Sequence, residues 1–206
     1  MNQATLNLLE GADVQFRREN RLDIALVKNL PIALIFLPAA DIPTFVGEGQ
    51  VDLGITGLDQ VQEHDAGIRA LHSARRMSGE ITPEQESAHT SNGSGCEVVM
   101  DLGFGGCKLQ VQVPEKGQYQ TPKDLVGKNI GTSFVHLTRQ YFANLEAEED
   151  AAQNADLLSV KFTGKLRTNI IELSGSVEAA CALGVADGIV DLVGMLTRIC
   201  LNALAI

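Results

Sequence analysis

Three stretches of the chain carry residue types that can do chemistry. The first is Ser174-Gly175-Ser176, followed by Glu178. A turn of small residues that enters a helix offers free backbone N–H groups and hydroxyls to an anion. Glu178 and the later carboxylates Asp187 and Asp191 can accept hydrogen bonds from sugar hydroxyls, or hold a divalent cation through its water shell. The second stretch is Thr132-Ser133, another strand-to-helix turn with two hydroxyls. The third is basic: Arg21 and Lys28 flank an apolar run and suit phosphates. A plainer reading stands beside each of these, as serine caps, solvated carboxylates and surface cations. No Ser-His-Asp, Cys-His, HExxH or P-loop arrangement occurs, and GFGGC at 103–107 lacks the spacing and following helix of a dinucleotide loop. No residue stands out as an acid, base or nucleophile.

The elements that must position these residues follow from periodicity. QATLNLLEGADV reads as a short helix ended by Gly11, then a strand near 14–16. RLDIALVKNLPIALIFLP holds two apolar runs split by Asn29 and Pro31, and the second, 32–37, reads as a fully buried strand. Asp41 is placed as an N-cap with Pro43 in the first turn, and QVDLGITG as another buried strand. Short helices alternating with apolar strands predict an α/β fold with a largely parallel sheet. From 62 to 95, and on to about 100, the chain is polar and without periodicity. It reads as a solvated, mobile insertion carrying His64, His72 and His89 on the surface. CKLQVQVP alternates at period two, as a strand that links two lobes. Residues 128–131 open a strand, 134–145 have helical spacing and Ser133 is a candidate N-cap.

Two segments echo one another. DIPTFVGEGQVDLGITG and SVEAACALGVADGIVDLV each give a short helix, a Gly, an Asp and an apolar strand, matching Gly49 with Gly184 and Asp52 with Asp187. The echo predicts two similar lobes, 1–106 and 107–193, around a cleft that takes a small molecule. Residues 194–206 form an atypical apolar tail.

Composition sets the outer limits. The 206 residues are 45% hydrophobic, enough for one large domain or two small lobes with cores. A net charge of -10 and a pI near 4.8 argue against nucleic acid and anionic membranes as partners. Cys96, Cys107, Cys181 and Cys200 form no CxxC pair and read as reduced cytosolic thiols. The start MNQATLNLLEGAD has no signal-peptide pattern, and the last apolar stretch is too interrupted to span a bilayer. The expected location is the cytoplasm.

RLDIAL, LPAADIPTFVGEG, VDLGITGLDQV, GCKLQVQVP and SGSVEAACALGVADGIVDLV together resemble ATP phosphoribosyltransferase, especially its fungal form, over roughly 6–62 and 101–193. The resemblance implies two α/β lobes of the periplasmic-binding-protein type II plan. It implies a Mg²⁺-dependent reaction in which N1 of ATP displaces pyrophosphate from phosphoribosyl pyrophosphate (PRPP), giving phosphoribosyl-ATP in the first step of histidine biosynthesis. It places Glu178 and Asp191 by the PRPP ribose and Arg21 near the nucleotide, and it implies a homo-oligomer in the intact form. Ser174, Gly175, Ser176 and Asp187 join the PRPP set, and Thr132 and Ser133 the nucleotide or phosphate set.

The pattern departs from the family at both ends. After DLV the family has a Ser/Thr-Gly-x-Thr loop around the 5′-phosphate, where this chain has Gly194-Met195-Leu196. The family's first strand, its Lys/Gly/Arg loop and its histidine-sensing domain have no counterpart. The expectation is an incomplete fold with little or no turnover. Gly194-Met195-Leu196 can be encoded by GGT-ATG-TT(A/G), a string that contains GTATGT, a common fungal 5′ splice sequence, so the tail is expected to be translated intron. The competing expectations are a two-lobed small-molecule-binding protein and a non-catalytic subunit.

Overall fold

The computed structural model describes residues 2–17, 23–78, 95–115, 117–153, 166–194 and 201–205. The chain divides into two compact units, Met1–Gly105 and Gly106–Ile206.

In the first unit, helix α1 (Asn2–Gly11) precedes an antiparallel pair, β1 (Ile24–Leu26) and β2 (Ala33–Ile35), with Ile24 opposite Ile35 and Leu26 opposite Ala33. Asn29 pins the reversal between them. Its Nδ2 donates to the Asp13 carbonyl at 2.6 Å, and its Oδ1 accepts from the Gln15 N–H at 3.1 Å. The run at 32–37 is therefore not a fully buried strand: Ile32 and Ile35 stay 45% and 42% exposed, because a two-stranded ribbon cannot cover both its faces. Near 14–16, Phe16 makes a single bridge to Val27. Helix α2 (Ile42–Gly47) starts after Asp41 with a proline in its first turn, although the Asp41 side chain makes no capping bond.

Two expectations fail after α2. Residues 51–57 are not a strand, and Leu53 is 68% exposed. The stretch from 62 is not unstructured as far as Ser78, because α3 (Leu58–Ser78) runs through it and carries His64 and His72. Ala66 is its buried residue, so little apolar periodicity marks this helix. It rests on good helix formers, with Asp59 in the first turn and Arg75 and Arg76 in the last, where they suit the helix dipole. The rest of the expected insertion up to 94, with His89, lies outside the described residues.

The second unit is built on a five-stranded sheet. Its elements are β3 (Cys107–Pro114), a 3₁₀ turn (Pro122–Leu125), β4 (Asn129–Thr132), α4 (Val135–Gln153), β5 (Asn169–Glu172), α5 (Ala179–Ala182), β6 (Gly188–Gly194) and β7 (Leu201–Ala205). The order is β5-β4-β6-β3-β7. β4 runs parallel to β5 and β6, while β3 runs antiparallel to β6 and β7. The sheet is thus mixed rather than largely parallel. The expected tail is an edge strand over Leu201–Ala205, and Met195 to Cys200 lie outside the described residues.

One face of this sheet packs Val111, Val113, Ile130 and Val190 with Leu125 and Phe142, the latter from α4. Each of these is at most 1% exposed, and complete burial of such a side chain contributes about 1.5–3 kcal/mol. The other face packs Ile189 with Ala186, Val177 and Ala180, beside Leu173 and Cys181. A methyl group on Gly131 would meet Leu173 Cδ1 at 2.8 Å and Ala180 and Ala186 at 3.4 Å, so this glycine sets how closely α5 lies on the sheet.

The sequence echo has a physical form. Gly49 and Gly184 both adopt positive φ, +73° and +69°. Each sits at the end of a short helix in the same double bond pattern. Gln50 N–H donates to the Phe45 carbonyl (2.9 Å) and Gly49 N–H to Val46 (3.0 Å); Val185 N–H donates to Ala180 (2.9 Å) and Gly184 N–H to Cys181 (3.2 Å). This is the Schellman arrangement, which satisfies the last helix carbonyls and needs glycine at the left-handed position. Beyond it the copies differ, since Asp187 leads into β6 and Asp52 leads into no strand.

Candidate functional site

Strands β4, β5 and β6 are parallel, so their C-terminal ends lie together, and ligands of open α/β sheets bind at that end. Thr132 of β4 is level with Glu172 of β5 and Val190 of β6. Just beyond β5 comes the turn Ser174-Gly175-Ser176, and just beyond Val190 comes Asp191. Ser174, Gly175, Ser176 and Glu178 are exposed, and a side chain added at Gly175 would meet nothing. Ser176 has φ +48°, a left-handed conformation that a non-glycine residue rarely takes. Neither serine caps α5. The cap position is Glu178, with no side-chain capping bond. The turn therefore presents its hydroxyls outward.

Asp191 projects to the same face as Ile189, the α5 side of the sheet, and is partly buried. Burial pushes its carboxyl above the usual carboxylate range, and the nearby Glu178 carboxylate pushes it further; the Leu192 N–H, donating to Oδ1 at 2.7 Å, opposes both. Glu178 and Asp191 thus form a carboxylate pair at the mouth of the turn. Opposite Asp191 on β3, in antiparallel register, stands Gln110. Neither Gln110 nor Glu172 was marked by the sequence. Gln110 is one of three residues in a strict polar alternation, with Lys108 and Gln112, a signal that reads as an ordinary solvent face. Among the described residues no group of three or more His, Cys, Asp and Glu side chains is placed to hold a metal ion.

Thr132 takes a different role from the one expected. It is fully buried on the α4 face. Its hydroxyl donates to the Val190 carbonyl (2.8 Å), accepts from Phe134 N–H (2.9 Å) and meets Thr138 Oγ1 at 3.3 Å. It ties β4 to β6 and holds the N–H of Phe134, the residue just before α4. Ser133 itself is exposed. Arg21 lies outside the described residues.

Asp187 lies just before the start of β6, at the opposite end of the strand from the turn and Asp191. It precedes β6, about 13 Å from Asp191 at roughly 3.3 Å per residue. Its Oδ2 accepts from Asn129 N–H (3.0 Å) and its Oδ1 from Tyr119 O–H (3.2 Å), clamping the starts of β4 and β6. Asp187→Ala is expected to cost about 1–2 kcal/mol of stability by orphaning these donors. Calorimetric titration with ribose 5-phosphate should give the same affinity as the parent chain. A tenfold loss with an unchanged melting temperature would return Asp187 to the ligand set.

The family model described as ATP phosphoribosyltransferase matches residues 38–205, which takes in all the elements of this site. The chain belongs to the ATP phosphoribosyltransferase family. The match to that family continues through β7, past residue 193. The ATP phosphoribosyltransferase of Candida glabrata is 54% identical over 192 residues, 93% of this chain and 51% of that protein. That of Yarrowia lipolytica is 51% identical over 191 residues, again 93% and 51%. That of Saccharomyces cerevisiae is 47% identical over 189 residues, 92% and 50%. The chain spans about half the length of the curated relatives it matches. A solved ATP phosphoribosyl transferase (HisG:HisZ) complex from Thermotoga maritima superposes with a TM-score of 0.57 at 20% identity, over 98% of this chain and 75% of that one. That likeness shows the fold, α/β with a mixed sheet. Among the described residues no helix is long and apolar enough to cross a membrane.

Proposed function

We propose that the chain acts as an ATP phosphoribosyltransferase, moving the phosphoribosyl group of PRPP to N1 of ATP with release of pyrophosphate, the first step of histidine biosynthesis. The observation that carries this reading is the family match running through the turn, the carboxylate pair and the strands that hold them. The chemistry suits them. Substitution at C1 of the ribose builds positive charge on the sugar as pyrophosphate leaves, and the task of the protein is to position both substrates and stabilise charge. The exposed turn Ser174-Gly175-Ser176 binds phosphate through hydroxyls and N–H groups. Glu178 and Asp191 accept from the ribose hydroxyls and place negative charge beside the sugar.

Mg²⁺ fits this donor set. Magnesium keeps several waters and uses one or two carboxylates plus substrate phosphates, so Glu178, Asp191 and the pyrophosphate would suffice. When bound it neutralises charge on the leaving pyrophosphate. Both lobes follow the periplasmic-binding-protein type II plan in this reading, supported by the Schellman-capped module that occurs once in each unit. Assembly with further copies and a cytoplasmic location belong to the same proposal.

Calorimetric titration of PRPP and of ATP in the presence of Mg²⁺, followed by an assay for phosphoribosyl-ATP, tests it. PRPP is expected to bind. Binding of both substrates without product would leave a binding subunit instead of an enzyme, and absence of PRPP binding would overturn the proposal.

A further inference from the structure

The α5 side of the central strand pair carries a polar row that the reading above does not use. On β3 the side chains of Lys108, Gln110 and Gln112 share this side, opposite Val193, Asp191 and Ile189 of β6. The other side of β3 is apolar, with Val111 and Val113 in the main core. Exposure rises along the row: Gln112 is 2% exposed beside the Ile189 cluster under α5, Gln110 is partly exposed, and Lys108 is exposed. The cover given by α5 therefore ends at the Gln110–Asp191 pair.

Directly opposite residues of an antiparallel pair have Cβ atoms about 4.5–5.5 Å apart. Yet among the described residues the Asp191 carboxylate takes its hydrogen bond from Leu192 N–H, and no bond joins it to Gln110. The two residues stand directly opposite one another on one face of the sheet, both partly exposed. A carboxylate accepts only, while an amide both donates and accepts. Such a pair matches two adjacent hydroxyls, one donating to the acid and one shared with the amide. We propose that Gln110 is a further substrate-binding residue, which with Asp191 recognises the vicinal hydroxyls of the ribose. This rests on the reading that Asp191 faces the PRPP sugar. Of the charged groups around the pair, Glu178 approaches from the segment entering α5, and Lys108 lies about 7 Å along β3.

The test compares two probes on the 206-residue chain by calorimetry: ribose 5-phosphate, which carries the diol, and inorganic phosphate, which does not. Gln110→Leu is expected to weaken ribose 5-phosphate about tenfold and to leave phosphate unchanged. A purely structural role would weaken both alike, and that result, or no change for ribose 5-phosphate, overturns the inference. If Gln110→Leu fails to fold, Gln110→Met keeps the length and flexibility of the side chain without its amide and gives the same reading. Asp191→Asn, run in parallel, separates the two claims. If it leaves ribose 5-phosphate binding intact, or if the parent chain binds neither probe, the underlying placement of the ribose is wrong. If it weakens the sugar and the Gln110 variants do not, Gln110 alone is excluded.

Discussion

Replacing Glu146 with alanine is expected to destabilise the second unit by about 3 kcal/mol, lowering its melting temperature by about 12–24 °C. Glu146 sits on α4 with its side chain 4% exposed. It accepts from the N–H groups of Arg167 and Thr168, both at 2.9 Å, and from the Thr168 hydroxyl at 2.7 Å. Thr168 in turn accepts from Gly127 N–H at 3.1 Å, so one carboxylate binds α4, the entry to β5 and the approach to β4. Arg167 lies 3.6 Å away and also reaches Glu149 and Asp150. Alanine would strand three donors, each costing about 1–3 kcal/mol, partly offset because Arg167 is half exposed and water can reach it. The effect depends on pH. Burial alone would raise the Glu146 carboxyl, but the hydrogen bonds from Arg167 and Thr168 and the guanidinium charge outweigh it and hold it below the usual range. A depressed pKa contributes stability that is present above the unfolded value near 4.3 and lost as pH falls through the folded value. The gap between parent and variant should therefore be full at pH 7 and shrink in acid. Tyrosine fluorescence measures it cleanly, since both tyrosines, Tyr119 and Tyr141, lie in this unit and the chain has no Trp. Equal midpoints at pH 7 would remove Glu146 from this role.

The fold was legible where apolar periodicity and glycine placement agree. The runs that become β3, β4 and β6, and the glycines that end α2 and α5, are marked by local chemistry that the tertiary structure leaves standing. VDLGITG has the composition of a buried strand, yet a strand needs neighbours, and none pairs with 51–57 among the described residues. Helix α3 was hidden for the opposite reason. With Ala66 as its buried residue, it has no apolar stripe to betray it, and its helix-forming composition resembles that of a solvated loop. The antiparallel partners of β3 were also unreadable, because strand direction in a sheet depends on contacts between residues far apart in sequence.

The site was legible in composition and less so in geometry. Ser174-Gly175-Ser176, Glu178 and Asp191 do gather at one end of the sheet. Asp187 looked equivalent to Asp191 because both flank the same apolar run. The direction of β6 puts one at the ligand end and the other against Asn129 and Tyr119. Thr132 and Ser133 are adjacent in sequence and differ in fate for a similar reason. Successive side chains along a strand face opposite ways, and the face given to Thr132 is the one covered by α4. Gln110 was visible as one tooth of a polar alternation, but its meaning depends on the register that sets it opposite Asp191.

Asp191→Asn is expected to change function and stability in opposite directions. The carboxylate is partly buried beside Glu178, and both influences hold its carboxyl above the usual range, with Leu192 N–H as partial relief. A raised acid contributes stability that is present below its unfolded value, near 3.9, and lost as pH rises through the folded value. At pH 7 the ionised Asp191 is therefore a net cost to the free chain, which agrees with the sugar-binding role proposed for it. Asparagine has nearly the same shape and no charge, so the variant should melt a few degrees higher than the parent at pH 7, with the difference fading below pH 4. Binding should fall steeply. Charge-assisted hydrogen bonds to hydroxyls contribute about 1.5–3 kcal/mol each, and weakening two of them removes on the order of 3 kcal/mol, about a hundredfold in PRPP affinity. Glu178→Gln separates the causes of the shift: it removes the repelling neighbour, so it should bring the Asp191 carboxyl part of the way down towards its ordinary range, with the remainder due to burial. Melting curves from pH 3 to pH 8 and calorimetric titrations with PRPP and Mg²⁺ read both effects. An Asp191→Asn chain that melts lower at pH 7 would refute the account of its burial, and one that binds PRPP as tightly as the parent would remove Asp191 from the site.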